Sequence, residues 1–371
     1  MHITLPRDTL LSPLLRASAI VAKQQTLPIL SNLLFRLVPG KLIVTATDLE
    51  IELVTEVAAE HDQTLAYAIP ARKLTDICKA LASDAEVSLT FQDSKVTLRA
   101  GRGRYVLSTL SAEDYPTITT EEDVTTDQFH VEQASLRHLL DKTAFAMAQQ
   151  DVRYYLNGLL LTFQPECIRV VATDGHRLAM AEAALAHNIQ DDTQLIIPRK
   201  AITELGRLLS KDEEASAQID FSHHYLRIDL GGTVFTTKLI EGQFPDYESI
   251  VPEEQNADLL RADRDQLRQV LARTAVLSAM EKFCSTHFHL KKDQLCLQVN
   301  NTENDEAEEQ LVVEYGGKLL DMGFNVAYIQ DVLNVLDTQQ VEMVITGADS
   351  SVLIRPVGTD GYRYIVMPMR L

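Results

Sequence analysis

Hydrophobic residues in this chain switch between two periods. In LLSPLLRASAIVA (10–22), LRHLLDKTAFAMA (136–148) and LRQVLARTAVLSA (267–279), leucines recur four apart, at Leu10 and Leu14, Leu136 and Leu140, Leu267 and Leu271. That spacing places them on one face of a helix. Elsewhere apolar residues alternate, as at Leu42, Val44 and Ala46 or Val87, Leu89 and Phe91, which predicts strands with one buried face. Further helical patterns cover 70–81, 198–209 and 325–336, and Pro39-Gly40 and Gly231-Gly232 mark hairpin turns.

The three leucine segments are copies of one another. They align without a gap at offsets of 126 and 131 residues. They share a base (Arg16, Lys142, Arg273) and a final alanine (Ala22, Ala148, Ala279). The register extends further: 27–53 matches 154–180 around Thr47-Asp48 and Thr173-Asp174, while the third copy, 286–311, is more diverged. Each unit closes with extended runs ending at 105–116, 234–247 and 362–371. A repeat of about 125 residues is long enough to be a domain. Three domains are therefore expected, at 1–120, 121–250 and 251–371, with linkers near 117–127 and 249–260. Each reads as short strand, helix, several strands, helix, several strands. That order predicts an α+β fold with antiparallel sheets, because the helices are too few to cross over between parallel strands.

Composition narrows the class. A hydrophobic fraction of 46% argues against disorder, and no apolar run approaches the roughly 18 residues of a membrane span. The start, MHITLPRDTL, lacks the basic and apolar regions of a secretory signal. Cys78, Cys167, Cys284 and Cys296 are scattered, which fits a reduced, cytoplasmic compartment. The net charge of −19 by itself speaks against nucleic acid. Its distribution changes that picture. Acids crowd loops and strands (Glu121-Glu122-Asp123, Glu253-Glu254, Glu303 to Glu309), while bases recur on helices (Arg16, Lys23, Lys73, Lys79, Lys142, Arg199, Lys200, Arg207, Arg273). One positive surface inside a repelling shell would look like this; so would helices with ordinary basic solvent faces.

Several groups invite chemistry. Cys284, His287, His289 and Cys296 do not have a standard zinc spacing, and a structural or solvent role is favoured. Asp174 and His176 could form an acid–base pair, but no nucleophile turn, P-loop or HExxH accompanies them. Asp48 stands at the same place in the first repeat, so the aspartate reads as structural, while His176, Arg177 and Leu178 are peculiar to the second. The apolar terminus MPMRL is either an adaptable binding surface or a last edge strand docking on its own domain. In DVRYYLNG (151–158), two tyrosines beside Arg153 suit nucleotide stacking or burial in a strand.

Nine segments carry a family resemblance: TLPILSNLL (26–34), TATDLEIE (45–52), IPARKLTDIC (69–78), QDVRYYLNG (150–158), VATDGHRLA (171–179), IPRK (197–200), FPDY (244–247), GFNVAYIQDVLN (323–334) and VMPMRL (366–371). Through them the whole chain resembles the β subunits of bacterial DNA polymerase III, the sliding clamps. The resemblance implies three repeated clamp domains per chain, antiparallel sheets outside, helices lining a central pore, and a head-to-tail dimeric ring. The helix count is compatible: twelve helices spaced about 8–10 Å apart leave a bore of roughly 25 Å, enough for a duplex about 20 Å wide.

By the same resemblance, transient DNA contacts fall to Arg72, Lys73, Lys142, Gln150, Tyr154, Tyr155, Arg199, Lys200 and Arg273. Gln24 and Gln25 stand where many members carry a base. A groove for short Gln/Leu/Phe-bearing peptides falls to Leu156, Thr173, Gly175, His176, Arg177, Leu178, Pro245, Ile250, Ser351, Ile365, Met367, Pro368, Met369 and Arg370; Glu248-Ser249 replaces a frequent base beside it. The dimer seam falls to Lys73, Arg102, Arg104, Tyr105 and Leu107 against Val276, Leu277, Glu303 and Glu306. Implied partners are a second copy, encircled double-stranded DNA, the polymerase III α subunit, the clamp-loader δ subunit, other DNA polymerases, ligase and mismatch-repair proteins. The implied role is a processivity factor without active site, metal or cofactor. The rival readings are a hydrolase using Asp174 and His176, and a peptide-binding scaffold with no DNA role.

Overall fold

The computed structural model describes residues 2–21, 27–118, 129–185, 193–278, 285–300 and 305–369. Gln24, Gln25, Cys284, Glu303, Arg370 and most of the expected 117–127 linker lie outside the described residues.

One element order occurs three times. The first repeat runs β1 (His2–Pro6), α1 (Arg7–Ile20), β2 (Asn32–Val38), β3 (Lys41–Thr47), β4 (Ile51–Ala58), β5 (Leu65–Pro70), α2 (Ala71–Ala80), β6 (Glu86–Gln92), β7 (Lys95–Ala100) and β8 (Gly103–Ser108). The second runs β9 (Phe129–Glu132), α3 (Gln133–Thr143), β10 (Gly158–Gln164), β11 (Cys167–Thr173), β12 (Arg177–Ala184), β13 (Thr193–Pro198), α4 (Arg199–Leu208), β14 (Ser216–Phe221), β15 (Tyr225–Asp229) and β16 (Thr233–Lys238). The third runs β17 (Asp258–Asp263), α5 (Arg264–Ser278), β18 (Ser285–Lys291), β19 (Gln294–Asn300), β20 (Glu306–Val312), the extra short β21 (Glu314–Tyr315), β22 (Leu320–Asn325), α6 (Val326–Val335), β23 (Gln340–Ile345), β24 (Val352–Pro356) and β25 (Tyr362–Val366). The expected 249–260 linker is shorter than its pattern suggested, because Asp258 already pairs with Ile345 in β17–β23.

Local chemistry accounts for these elements. In α1 the expected Leu10 and Leu14 are buried, together with Leu11, Pro13, Ala17 and Ile20. The Asn325 side chain caps α6 by accepting from Ala327 N–H at 3.0 Å. The β2–β3 hairpin turns at Gly40, whose φ of 79° costs a glycine little. Leu42, Val44 and Ala46 are fully buried on one face of β3, as their alternation predicts.

The chain folds as two compact units, 1–137 with 203–239, and 138–202 with 240–371. The first holds a four-stranded sheet, β1-β6-β7-β8, and an eight-stranded sheet, β5-β2-β3-β4-β16-β15-β14-β9. The second holds a nine-stranded sheet, β13-β10-β11-β12-β25-β24-β23-β17-β21, and a four-stranded sheet, β20-β19-β18-β22. Every described pairing is antiparallel, as predicted. The repeats are thus joined by strand pairing: β4 to β16 joins the first to the second, and β12 to β25 joins the second to the third. The last strand, β25, lies between β12 and β24 in the interior of its sheet. Of the terminal MPMRL segment, Met369 makes one antiparallel bridge to Gly323 on β22, an edge strand of the four-stranded sheet.

Candidate functional site

The site starts from a turn that two repeats share. Thr173 Oγ1 donates to the Arg177 carbonyl (2.6 Å) and accepts from Gly175 N–H (3.0 Å). Asp174 Oδ1 accepts from the N–H groups of His176 (2.9 Å) and Arg177 (3.1 Å). The first repeat repeats all four bonds: Thr47 Oγ1 to the Ile51 carbonyl (2.9 Å), Leu49 N–H to Thr47 Oγ1 (3.0 Å), and the N–H groups of Glu50 (2.9 Å) and Ile51 (2.7 Å) to Asp48 Oδ1. The turn requires a left-handed residue, Leu49 at φ 77° and Gly175 at φ 88°. Asp174 Oδ2 accepts from Arg177 Nε (3.1 Å), so its carboxylate serves the turn and its arginine. The His176 ring stacks near Tyr328 instead (6.4 Å, 17°).

Above this turn lies a cavity of about 180 Å³ lined by Arg153, Tyr155, Leu156, Thr173, Gly175, Arg177, Leu178, Pro245, Asp246, Tyr247, Ile250, Ile365 and Met367. Its floor is the sheet: Leu160, Val171, Leu178, Met180, Ile196 and Ile365 form one buried cluster with Phe244 and Tyr247. The tail crosses the rim in extended form. Met367 N–H donates to the His176 carbonyl (2.9 Å), and Met369 N–H to the Gly323 carbonyl (2.8 Å).

The structure gathers nine of the expected groove residues here: Leu156, Thr173, Gly175, Arg177, Leu178, Pro245, Ile250, Ile365 and Met367. Ser351 stands behind the wall, donating to the Ile250 carbonyl at 3.1 Å. Pro368 and Met369 line a neighbouring cavity of about 640 Å³ with Asp321, Met322, Gly323, Ala348 and Asp349. Arg177 is a strut. It donates to Asp331 and, at 2.9 Å, to the Phe145 carbonyl, and its guanidinium lies 4.6 Å from the Tyr328 ring centre. Sequence reasoning missed Arg153, Tyr155, Asp246 and Tyr247 as lining residues. The FPDY run pointed to the last two.

Arg153 holds the rim through Asp151, donating from N–H (2.8 Å), Nε (3.0 Å) and Nη2 (2.9 Å). These hydrogen bonds hold the half-buried Asp151 carboxyl down at about 2.

The expected DNA-contact residues divide. Arg72, Lys73, Gln150, Tyr154 and Lys200 are exposed. Lys142 is a correction: it is 5% exposed, its ammonium given to the Val335 carbonyl and the Asp337 carboxylate. Tyr155 is half-buried; it lines the pocket and packs on its core. It sits with Tyr154 in a 3₁₀ turn (Tyr154–Asn157), not in a strand. Arg199 donates to the Met147 carbonyl (2.6 Å), and Arg273 pairs with Glu309 (2.6 and 3.0 Å).

Of the expected seam residues, Arg102, Arg104 and Tyr105 are exposed at or beside edge strand β8, Val276 is 72% exposed on α5, and Glu306 is exposed on edge strand β20. Leu277 is half-buried. Leu107 is only 8% exposed, its side chain taken by its own domain, so it offers little to a seam. His287 and His289 stack on β18 (6.2 Å, 29°), and His289 bonds Asp321 and Gln298. Among the described residues no group of three or more His, Cys, Asp and Glu could hold a metal ion.

Three family descriptions match the chain in tandem: DNA polymerase III beta subunit, N-terminal domain, over residues 1–119; central domain, over 130–246; and C-terminal domain, over 248–370. A curated relative, the beta sliding clamp of Pseudomonas putida, is 45% identical over 372 residues covering 100% of both chains. The crystal structure of the DNA polymerase III subunit beta from Pseudomonas aeruginosa superposes with a TM-score of 0.96 at 44% identity, covering 100% of both chains. A Pseudomonas aeruginosa sliding clamp bound to griselimycin gives 0.95 at 45%, again over 100% of both chains.

Proposed function

The chain belongs to the DNA polymerase III beta subunit family, the sliding clamps, and we propose that it encircles duplex DNA as a head-to-tail dimer and tethers polymerases through the apolar pocket. Three domains, at 1–120, 121–250 and 251–371, make up each half of the ring.

One observation carries the dimer. At the two joins within the chain, an aromatic residue crosses to the neighbouring sheet: Phe235 of β16 sits opposite Leu53, and Tyr364 of β25 opposite Ala179, each fully buried. The matching strand of the first repeat, β8, carries Tyr105 at that place, 39% exposed on an open edge. The matching strand of the third repeat, β20, likewise lies at the edge of its sheet. Each four-stranded sheet therefore presents the half-join that the other lacks, and an unpaired edge favours pairing. Carried over, the register sets Ala307 opposite the partner subunit's Tyr105 and Glu308 opposite the partner subunit's Arg104.

DNA would be held by topology more than by grip. Arg72, Lys73, Lys200, Gln150 and Tyr154 offer few, exposed, phosphate-directed contacts, while the −19 charge repels DNA elsewhere. The pocket suits short peptides with apolar anchors from the polymerase III α subunit, the clamp-loader δ subunit, other DNA polymerases, ligase and mismatch-repair proteins. No helix among the described residues is long and apolar enough to cross a membrane, and a cytoplasmic, non-catalytic role accords with the replication partners. Loaded protein should stay on circular DNA and run off linear DNA in gel filtration. Equal retention on both would refute encirclement.

A further inference from the structure

The pocket is present in the second repeat, yet the first repeat has the same frame. In both, the segment after the last strand bonds back to the strand before the second helix, Leu110 to Ala68 and Ile240 to Ile196. Both segments reach an Asp-Tyr pair, Asp114-Tyr115 and Asp246-Tyr247, whose tyrosine belongs to the buried cluster that holds the matching leucine, Leu34 or Leu160.

The two tyrosines are anchored differently. Tyr115 Oη donates to the carbonyls of Asn32 (3.1 Å) and Thr45 (3.3 Å). The residues after it are drawn down too, as the Ile118 N–H donates to the buried Glu52 carboxylate (3.2 Å). Tyr247 Oη instead accepts from Arg169 Nη1 (3.2 Å). Arg169 also donates to Glu248 (2.8 Å) and, through Nε, to Glu182 (2.8 Å). On β11, Arg169 lies two residues before Val171, the counterpart of Thr45. Two strand residues span roughly 6–7 Å. The second-repeat segment has the length for this reach, since Tyr247 lies seven residues beyond Ile240 and Tyr115 five beyond Leu110. At the place of Arg169 the first repeat has Ile43, which cannot hold a hydroxyl.

The geometry points to Arg169 as a positioning residue of the pocket: it holds the Tyr247–Glu248 wall out along β11 and keeps the floor of Leu178 and Ile365 open. Arg169 acts through the wall without touching the docked segment. A guanidinium serves this role because its planar fork reaches three acceptors at once. The inference rests on the pocket being a peptide site, and its test separates the two.

The full chain is titrated against a fluorescein-labelled synthetic peptide, Gln-Leu-Ala-Leu-Phe, by fluorescence anisotropy. Arg169→Ile is expected to weaken binding at least ~10-fold, with partial recovery in Arg169→Lys; a positioning effect should largely vanish in a Tyr247→Phe, Glu248→Ala background. Parent-like binding by Arg169→Ile, or an equal loss in both backgrounds, overturns the inference. A crystal structure of Arg169→Ile decides independently of any peptide. The Tyr247 ring should move in toward β10, and an unmoved wall overturns the role of Arg169. A parent protein that ignores the peptide would sink the docking role alone.

Discussion

Lys142 of α3 donates its ammonium to the Asp337 carboxylate just beyond α6. The same ammonium caps the end of that helix at the Val335 carbonyl, where a cation is favoured. The base at the matching place of the first repeat, Arg16, donates to Thr233 (3.1 Å), and that of the third, Arg273, pairs with Glu309. A base common to three repeats is thus used within the protein each time. Lys142→Met should lower stability by about 1–3 kcal/mol, the cost of orphaning charge-assisted hydrogen bonds. Calorimetric melting would detect it. The salt dependence of DNA retention should not change, whereas Lys73→Ala and Lys200→Ala should each flatten the slope by up to ~0.9 for every phosphate no longer neutralised.

The transferred register makes the seam testable by charge exchange. Arg104→Glu should raise the dimer dissociation constant by roughly 10- to 100-fold, because it sets like charges at Glu308. Combining it with Glu308→Arg should restore the dimer in analytical ultracentrifugation. A double variant no better than Arg104→Glu would show that the register is wrong.

Removing residues 367–371 leaves all of β25 in its sheet, since that strand ends at Val366. The cavity loses Met367, and with it a rim anchored on the His176 carbonyl. Peptide affinity should fall by roughly 10- to 100-fold for each apolar anchor left facing water, with the dimer intact. Anisotropy and sedimentation on the same sample would measure both.

Glu52 gives a pH signature. Burial pushes its carboxyl above the usual glutamate value of 4.5, against the opposing pull of the Ile118 N–H and of Arg36 and Arg227. The folded state therefore binds this proton more tightly than the unfolded chain. Its contribution to stability is fully present below the unfolded value and is lost as pH rises through the folded one. Glu52→Gln should flatten the decline in urea midpoint above pH 4.5, and parallel profiles for parent and variant would count against the assignment.

Local periodicity along the chain specified the repeating elements. A four-residue leucine spacing can bury one face only as a helix, and alternation can do so only as a strand, so α1, α5 and β3 were legible. Pro39-Gly40 located its hairpin because the turn needs a left-handed residue. The groove was legible through segments from three distant parts of the chain, but its wall was not, because Tyr247 is fixed by Arg169 across 78 positions. Which edges pair was set by long-range packing. Nothing in the pattern of YRYIV distinguishes a central strand from an edge strand, since both bury alternate residues. Lys142 likewise carries the same local pattern as a solvent-facing base; only the arrival of Asp337 and Val335 from the third repeat buries it. Short-range periodicity fixes which face of an element is apolar, whereas the partner that covers that face comes from far along the chain.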